Sequence, residues 1–271
     1  EMLRSLVGSE MCIRDRQVTS LAVVNLDAHG HPDYAFYREG VADRAVSAAG
    51  LGDSCAALPA LQLVCTGALA LDARDTAIYL PWLAAQRAAG RCVVVDANLR
   101  PSVMPDLAAY RTTVHAALAH AHIIKASDED LEHLAVPGVD ALARAQHLLA
   151  ANPQAYLLAL TLGAEGAWLL HRNGVQRFAQ EAQSLPVVDT VGAGDSFLAG
   201  LLAHLLRQLQ AAGGASFVRF VDALAADACQ QALRHALASA SLCVMEQGCV
   251  PPGWEAARAW SQQHPAAQDP R

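Results

Sequence analysis

Residues 187–197 read Val-Val-Asp-Thr-Val-Gly-Ala-Gly-Asp-Ser-Phe: a β-branched pair, a glycine-rich turn, one carboxylate and the start of a long apolar run. Leu198, Leu201, Leu202, Leu205, Leu206 and Leu209 recur at intervals of three and four, the stripe of an amphipathic helix. The turn Gly192-Ala193-Gly194 would therefore bring the unpaired N–H groups of a helix start to one point, with Asp195 beside them. Free N–H groups and the positive end of the helix dipole attract phosphate. A carboxylate there would repel that ligand unless it had a chemical task, and one is available: taking the proton of a hydroxyl that attacks the phosphate.

The same residues also read as a tight turn with Asp195 as a helix-capping carboxylate. Other phosphate loops are excluded. No Gly-Lys-Ser/Thr follows, and Phe197 stands where a dinucleotide fingerprint needs its third glycine. Gly-Asp-Ser-Phe is similar to the nucleophile block of a group of serine esterases, but no Asp-x-x-His occurs near the C-terminus and Leu198 breaks Gly-x-Ser-x-Gly.

The elements that would position this turn can be read along the chain. Residues 19–26 and 34–38 are β-branched or alternating around Asp27-Ala28-His29-Gly30, which predicts a hairpin. A strand at 61–66, a helix at 75–89 capped by Asp72 or Asp75 and closed by Gly90, and a strand at 92–95 make a βαβ unit. That unit implies an α/β fold with a mainly parallel sheet covered on both faces. Ligands gather at the carboxyl ends of such strands. There the chain places Asp96-Ala97-Asn98-Leu99-Arg100, which reads either as site residues or as Asp96 capping a turn with Arg100 on the surface. A helix follows Pro105, then a strand at 122–125 runs into Ser127-Asp128-Glu129-Asp130, a capping box for the next helix. A helix at 140–151, a strand at 156–160 and a hairpin at 168–178 around Asn173-Gly174 precede the opening stretch. Residues 217–244 read as one long helix and 255–262 as a short terminal one.

Composition bounds the function classes. At 271 residues and 54% hydrophobic content the chain can bury a substantial core, and a net charge of −7 argues against nucleic acid or an anionic membrane as partner. No apolar run approaches a membrane span. The seven cysteines form no C-x-x-C pair and read as reduced, mostly buried residues of a cytoplasmic protein. Eleven histidines include no His-x-x-x-His with a matching carboxylate.

The stretch Asp189-Thr190-Val191-Gly192-Ala193-Gly194-Asp195-Ser196-Phe197 closely resembles the C-terminal signature of the ribokinase-like (PfkB) carbohydrate kinases, Asp-Thr-x-Gly-Ala-Gly-Asp-x-Phe. The resemblance implies a three-layer α/β/α fold with a small β lid. It makes Asp195 the general base and the N–H groups of Gly192, Ala193 and Gly194 an anion hole. Asp96, Asn98 and Arg100 match the family's Asp-x-Asn-x-Arg segment and would face the sugar or the phosphoryl group. Thr161, Gly163 and Gly166 match its nucleotide loop. Ser127 and Asp130 stand where the family has Asn-x-x-Glu and would organise Mg²⁺, in part through water, with an acid one methylene shorter. Gly248 lies in the turn that closes the adenine pocket, and Asp189 lies where family members bind a monovalent cation, K⁺. Met245-Glu246-Gln247 departs from the usual basic lead-in.

These likenesses imply an ATP-dependent kinase that phosphorylates a sugar, fructose first. A 2-keto-3-deoxygluconate kinase, or a nucleotide-binding fragment without activity, stands as the alternative. Lys-x-Ser-Asp-Glu-Asp-Leu and the 19–43 segment resemble the bacterial fructokinase branch. Nothing before Thr19 resembles the family's sugar-binding aspartate or its Gly-Gly-x-x-x-Asn, so the chain is expected to be incomplete at the N-terminus of the fold. Residues 1–16 are similar to translated sequencing adapter and are expected to be a non-native leader. The reading then divides the chain into a partial β lid at 17–44, a ribokinase-like core at 45–263 and a disordered tail at 264–271, with a homodimer through the lid.

Overall fold

The structure, a computed structural model, describes residues 17–26 and 32–267. Residues 1–16, 27–31 (the whole of the expected 27–30 turn) and 268–271 lie outside it. Strands β1 (Leu21–Leu26) and β2 (Pro32–Tyr37) form the antiparallel hairpin in register Leu21↔Tyr37 to Leu26↔Pro32. It is a sheet of its own, with Leu21, Val23 and Tyr37 exposed. Arg38, at its foot, donates to the Leu69 carbonyl at 3.1 Å and pairs with Asp43 and Asp72, each at 3.6 Å.

The second sheet has six strands in the order β3 (Leu63–Gly67), β4 (Cys92–Asp96), β5 (Ile123–Ser127), β6 (Leu157–Thr161), β7 (Ala167–His171) and β8 (Gln176–Ala179). The first four run parallel and the last two antiparallel. Helices α1 (Ala48–Ala56), α2 (Thr76–Ala88), α3 (Leu107–Leu118), α4 (Asp128–His133) and α5 (Ala141–Ala151) come before β6. Helices α6 (Ala193–Ala211), α7 (Phe217–Asp222), α8 (Ala226–Val244) and α9 (Trp254–Gln263) follow β8.

Successive strand residues point to opposite faces, and both faces are buried. Val93, Val95, Ile124, Leu158 and Leu160 pack with Leu83 of α2, Val114 and Leu118 of α3 and Leu148 of α5. Val94, Ile123, Leu157 and Leu169 pack with Leu201 and Leu205 of α6 and Leu233 of α8. Three layers result. The leucine stripe of α6 is what fixes it to the sheet: Leu201 and Leu205 are fully buried, and each contributes about 1.5–3 kcal/mol of apolar burial.

The elements differ from the sequence reading in four places. Helix α1 was not foreseen, because Gly50 and Gly52 mask its period; Ser47 caps it by accepting the Gly50 N–H at 3.0 Å. The long run at 217–244 is two helices, since Ala223–Ala225 leave helical geometry and Leu224 turns into the core. Asp75 precedes α2 without a capping hydrogen bond, its carboxylate being held by Arg44 at 3.0 and 3.1 Å. Finally, the tail expected to be disordered from His264 is paired as far as Ala267, which exchanges both backbone hydrogen bonds with Gln180.

Candidate active site

Parallel register lines up the carboxyl ends of four strands. Gly67 lies beside Asp96, Asp96 beside Lys125, and Ser127 beside Thr161. Beyond β4 the chain turns through Asn98, at φ +34°, and the Leu99 N–H donates to Asp130 Oδ1 at 2.6 Å.

Helix α6 starts over this edge. Gly192 precedes it at φ +79°, a conformation that glycine adopts without strain. The Ser196 N–H returns to the Gly192 carbonyl at 2.8 Å and the Ala193 N–H to Thr190 at 3.3 Å. Among the described residues no acceptor meets the N–H of Gly194 or of Asp195. Of the three N–H groups expected to line an anion hole, that of Gly192 also meets no acceptor among the described residues, while that of Ala193 is partly spent on Thr190. The Asp195 carboxylate is exposed on the first turn.

Asp195 and the strand ends enclose one cavity of about 380 Å³, lined by Cys65, Gly67, Asp96, Asn98, Asp195 and Leu202 among others. Asp96 is 6% exposed, and its partner is the Lys125 ammonium. Burial pushes its carboxyl up to about 6, against the opposing pull of Lys125, with Asp130 and Asp195 adding to the rise. Cys65 is raised to about 11, first by burial and then by Asp96 and Asp195, so its thiol stays protonated. Arg100 is not part of that lining; its guanidinium turns back to the Leu99 carbonyl at 3.0 Å.

The remaining candidates sit farther along the same edge. Ser127 and Asp130 form the capping box of α4: the Asp130 N–H donates to Ser127 Oγ at 3.0 Å and the Ser127 N–H to Asp130 Oδ2 at 2.8 Å. Thr161 ends β6, and Gly163 and Gly166 turn the chain into β7. The Asp189 carboxylate joins two loops, accepting the Val191 N–H at 2.9 Å and the Gly248 N–H at 3.0 Å. No group of three metal-ligating side chains forms among the described residues.

Lys125 is the residue the sequence reading missed. It is 4% exposed, with Nζ 3.1 Å from Asp96 Oδ1 and 3.3 Å from Oδ2. A Cβ placed on Gly194 would lie 3.1 Å from that nitrogen. One signal was available: Lys125 is the chain's only lysine, the other 18 of its 19 basic residues being arginines.

A mainly parallel three-layer sandwich with free helix N–H groups and a carboxylate over its strand ends is the ribokinase-like arrangement. The model of the pfkB family of carbohydrate kinases matches residues 4–256, and the chain belongs to that family. A fructokinase of Rhizobium leguminosarum bv. trifolii is 36% identical over 204 residues, which is 74% of this chain and 59% of that protein. A fructokinase of Vibrio alginolyticus is 32% identical over 204 residues, 74% of this chain and 63% of its own length. This chain therefore spans about three fifths of the curated relatives it matches. The crystal structure of a fructokinase with bound ATP from Xylella fastidiosa superposes with a TM-score of 0.74 at 26% identity, covering 91% of this chain and 74% of that one.

Proposed function

We propose that the chain carries the phosphoryl-transfer site of an ATP-dependent sugar kinase whose acceptor is fructose. The observation that carries the reading is the start of α6, where Asp195 stands beside two N–H groups without acceptors and faces the cavity shared with Asp96 and Asn98. A sugar hydroxyl in that cavity would attack the γ-phosphorus of ATP, the bond from phosphorus to the bridging oxygen would break, and ADP would leave with the electron pair. Asp195 would receive the hydroxyl proton. It is a weak base, but the transition state is loose and the proton can move late. The free N–H groups would hold the equatorial oxygens, where charge is spread as the bonds change. Asp96, which lines the cavity beside Asn98, suits a second hydroxyl of the acceptor.

Ser127 and Asp130 would hold Mg²⁺, which supplies charge neutralisation to the phosphates. Both Asp130 oxygens already accept backbone N–H groups, so Ser127 and Asp130 would reach the ion through water, which suits a metal that keeps part of its hydration. Thr161, Gly163, Gly166 and Gly248 would border the nucleotide, and Arg100 would reach the phosphoryl group by leaving its Leu99 contact. K⁺ would sit beside Asp189, which already ties the Gly248 turn to the signature. The exposed Leu21, Val23 and Tyr37 on the hairpin support a homodimer through the lid. No helix is long and apolar enough to cross a membrane among the described residues; a cytoplasmic location belongs to the same proposal.

The test is to supply Mg·ATP with fructose or with 2-keto-3-deoxygluconate and follow ADP release and the phosphorylated product. Fructose is expected to turn over faster. Preference for the acid would replace the acceptor, and ATP binding with transfer to neither would leave a nucleotide-binding fragment.

A further inference from the structure

Lys125 holds its place against every tendency of the composition. A chain that uses arginine 18 times uses lysine once, and that one lies buried in the middle of β5, between the Asp96 carboxylate and the Gly194 turn. An arginine is planar and presents five donors in a fixed fork. An ammonium is a compact charge with three donors that turn about a single bond. The ammonium is packed closely at this point. Gly194 approaches so closely that even a methyl group on it would lie 3.1 Å from Nζ. Asp96 is the sole carboxylate within ion-pair distance of Nζ among the described residues, and it engages one side of the ammonium. At least one donor is left over.

The surroundings say what that donor is for. Asp195 lines the same cavity as Asp96, and both Asp195 and Asp130 oppose the ionisation of Asp96. An anion brought to the free N–H groups of Gly194 and Asp195 would meet those carboxylates, and Lys125 Nζ lies directly beneath the turn, against Gly194. We infer that Lys125 contacts the phosphoryl group: held by Asp96 under Gly194, it donates to the anion that the start of α6 binds. This deepens the kinase reading above, on which naming the anion a phosphoryl group rests. The role of Asp96 is thereby enlarged, since it positions the ammonium as well as lining the acceptor cavity.

A single lysine makes the test direct. Chain labelled with lysine ¹³Cε/¹⁵Nζ gives one ammonium signal, and pyrophosphate is the probe, with binding followed in parallel by calorimetry. The expected result is a saturable shift of that signal tracking the calorimetric isotherm. Pyrophosphate binding with a stationary signal, or no binding, overturns the inference. Lys125→Met alone leaves Asp96 buried and unpaired, and the chain stands to lose its fold. Asp96→Asn alone strands the ammonium in the same way, so the comparison is wild type against the neutral pair Asp96→Asn/Lys125→Met, in which loss of the Asp96 charge by itself would favour an anion. The double variant is expected to bind pyrophosphate at least tenfold more weakly, and equal affinity would contradict the proposal. If wild-type chain phosphorylates no sugar, the kinase reading fails by itself, while the ammonium signal still reports whether an anion meets Lys125.

Discussion

Gly192 carries two constraints at once. Its φ of +79° is costly for any residue with a Cβ, and a Cβ there would lie 2.2 Å from Cys249 Sγ. Gly192→Ala should therefore destabilise the chain by about 1–3 kcal/mol, read as a shift of the urea midpoint at unchanged slope. Cys249 is exposed, and its sulfur fills the space beside the glycine. Gly194 differs from Gly192, because its φ is not positive and its constraint is the Lys125 ammonium. Sequence alone shows two glycines in one turn. That one of them clears a thiol and the other an amine follows only from tertiary contacts.

At the scale of elements, helix α4 depends on its first turn. Ser127 and Asp130 satisfy each other's backbone N–H groups, and Asp130 also receives Leu99 from the β4 exit. Ser127→Ala should cost about 1 kcal/mol through loss of the cap, measurable by thermal or chemical denaturation. Asp130→Ala should cost more, because the Leu99 N–H would be left without its acceptor in the interior. The capping box was legible because it is local, as were the hairpin, the strands β3 to β6 and the leucine stripe of α6. The resemblance to Asp-x-Asn-x-Arg groups Arg100 with Asn98, yet only Asn98, at φ +34°, lines the cavity, and Arg100 turns back to the Leu99 carbonyl. Helix α1 was hidden by its glycines and the break at Ala223–Ala225 by uninterrupted alanine-rich sequence. Lys125 was passed over because its partner, Asp96, is distant in sequence and joined to it only by strand register.

For the whole molecule, buried histidines set the acid side of stability. His122 accepts the Val93 N–H through Nδ1 at 3.0 Å, and burial pushes its pKa down to about 4 from 6.5. His235 is also lowered to about 4, by burial first and then by His204 and Arg207. A depressed folded-state pKa means that the unfolded chain binds the extra protons, so this stability is complete above pH 6.5 and drains away as pH falls toward 4. Asp96 acts in the opposite sense between 3.8 and about 6, because its pKa is raised. Two histidines against one aspartate should leave a net decline, with the denaturation midpoint falling from pH 6.5 to 4 and the slope becoming shallower in His122→Asn. The three-layer frame held together in this way exists to bring Asp195 and the start of α6 over the strand ends. Asp195→Asn tests that most directly: it keeps the shape and the neighbouring N–H groups while removing the proton acceptor. In chain that phosphorylates fructose, kcat should fall by about a thousandfold or more while the affinity for Mg·ATP, measured by calorimetry, changes less than about threefold. A kcat within about tenfold of wild type would contradict the assignment of Asp195 as the base.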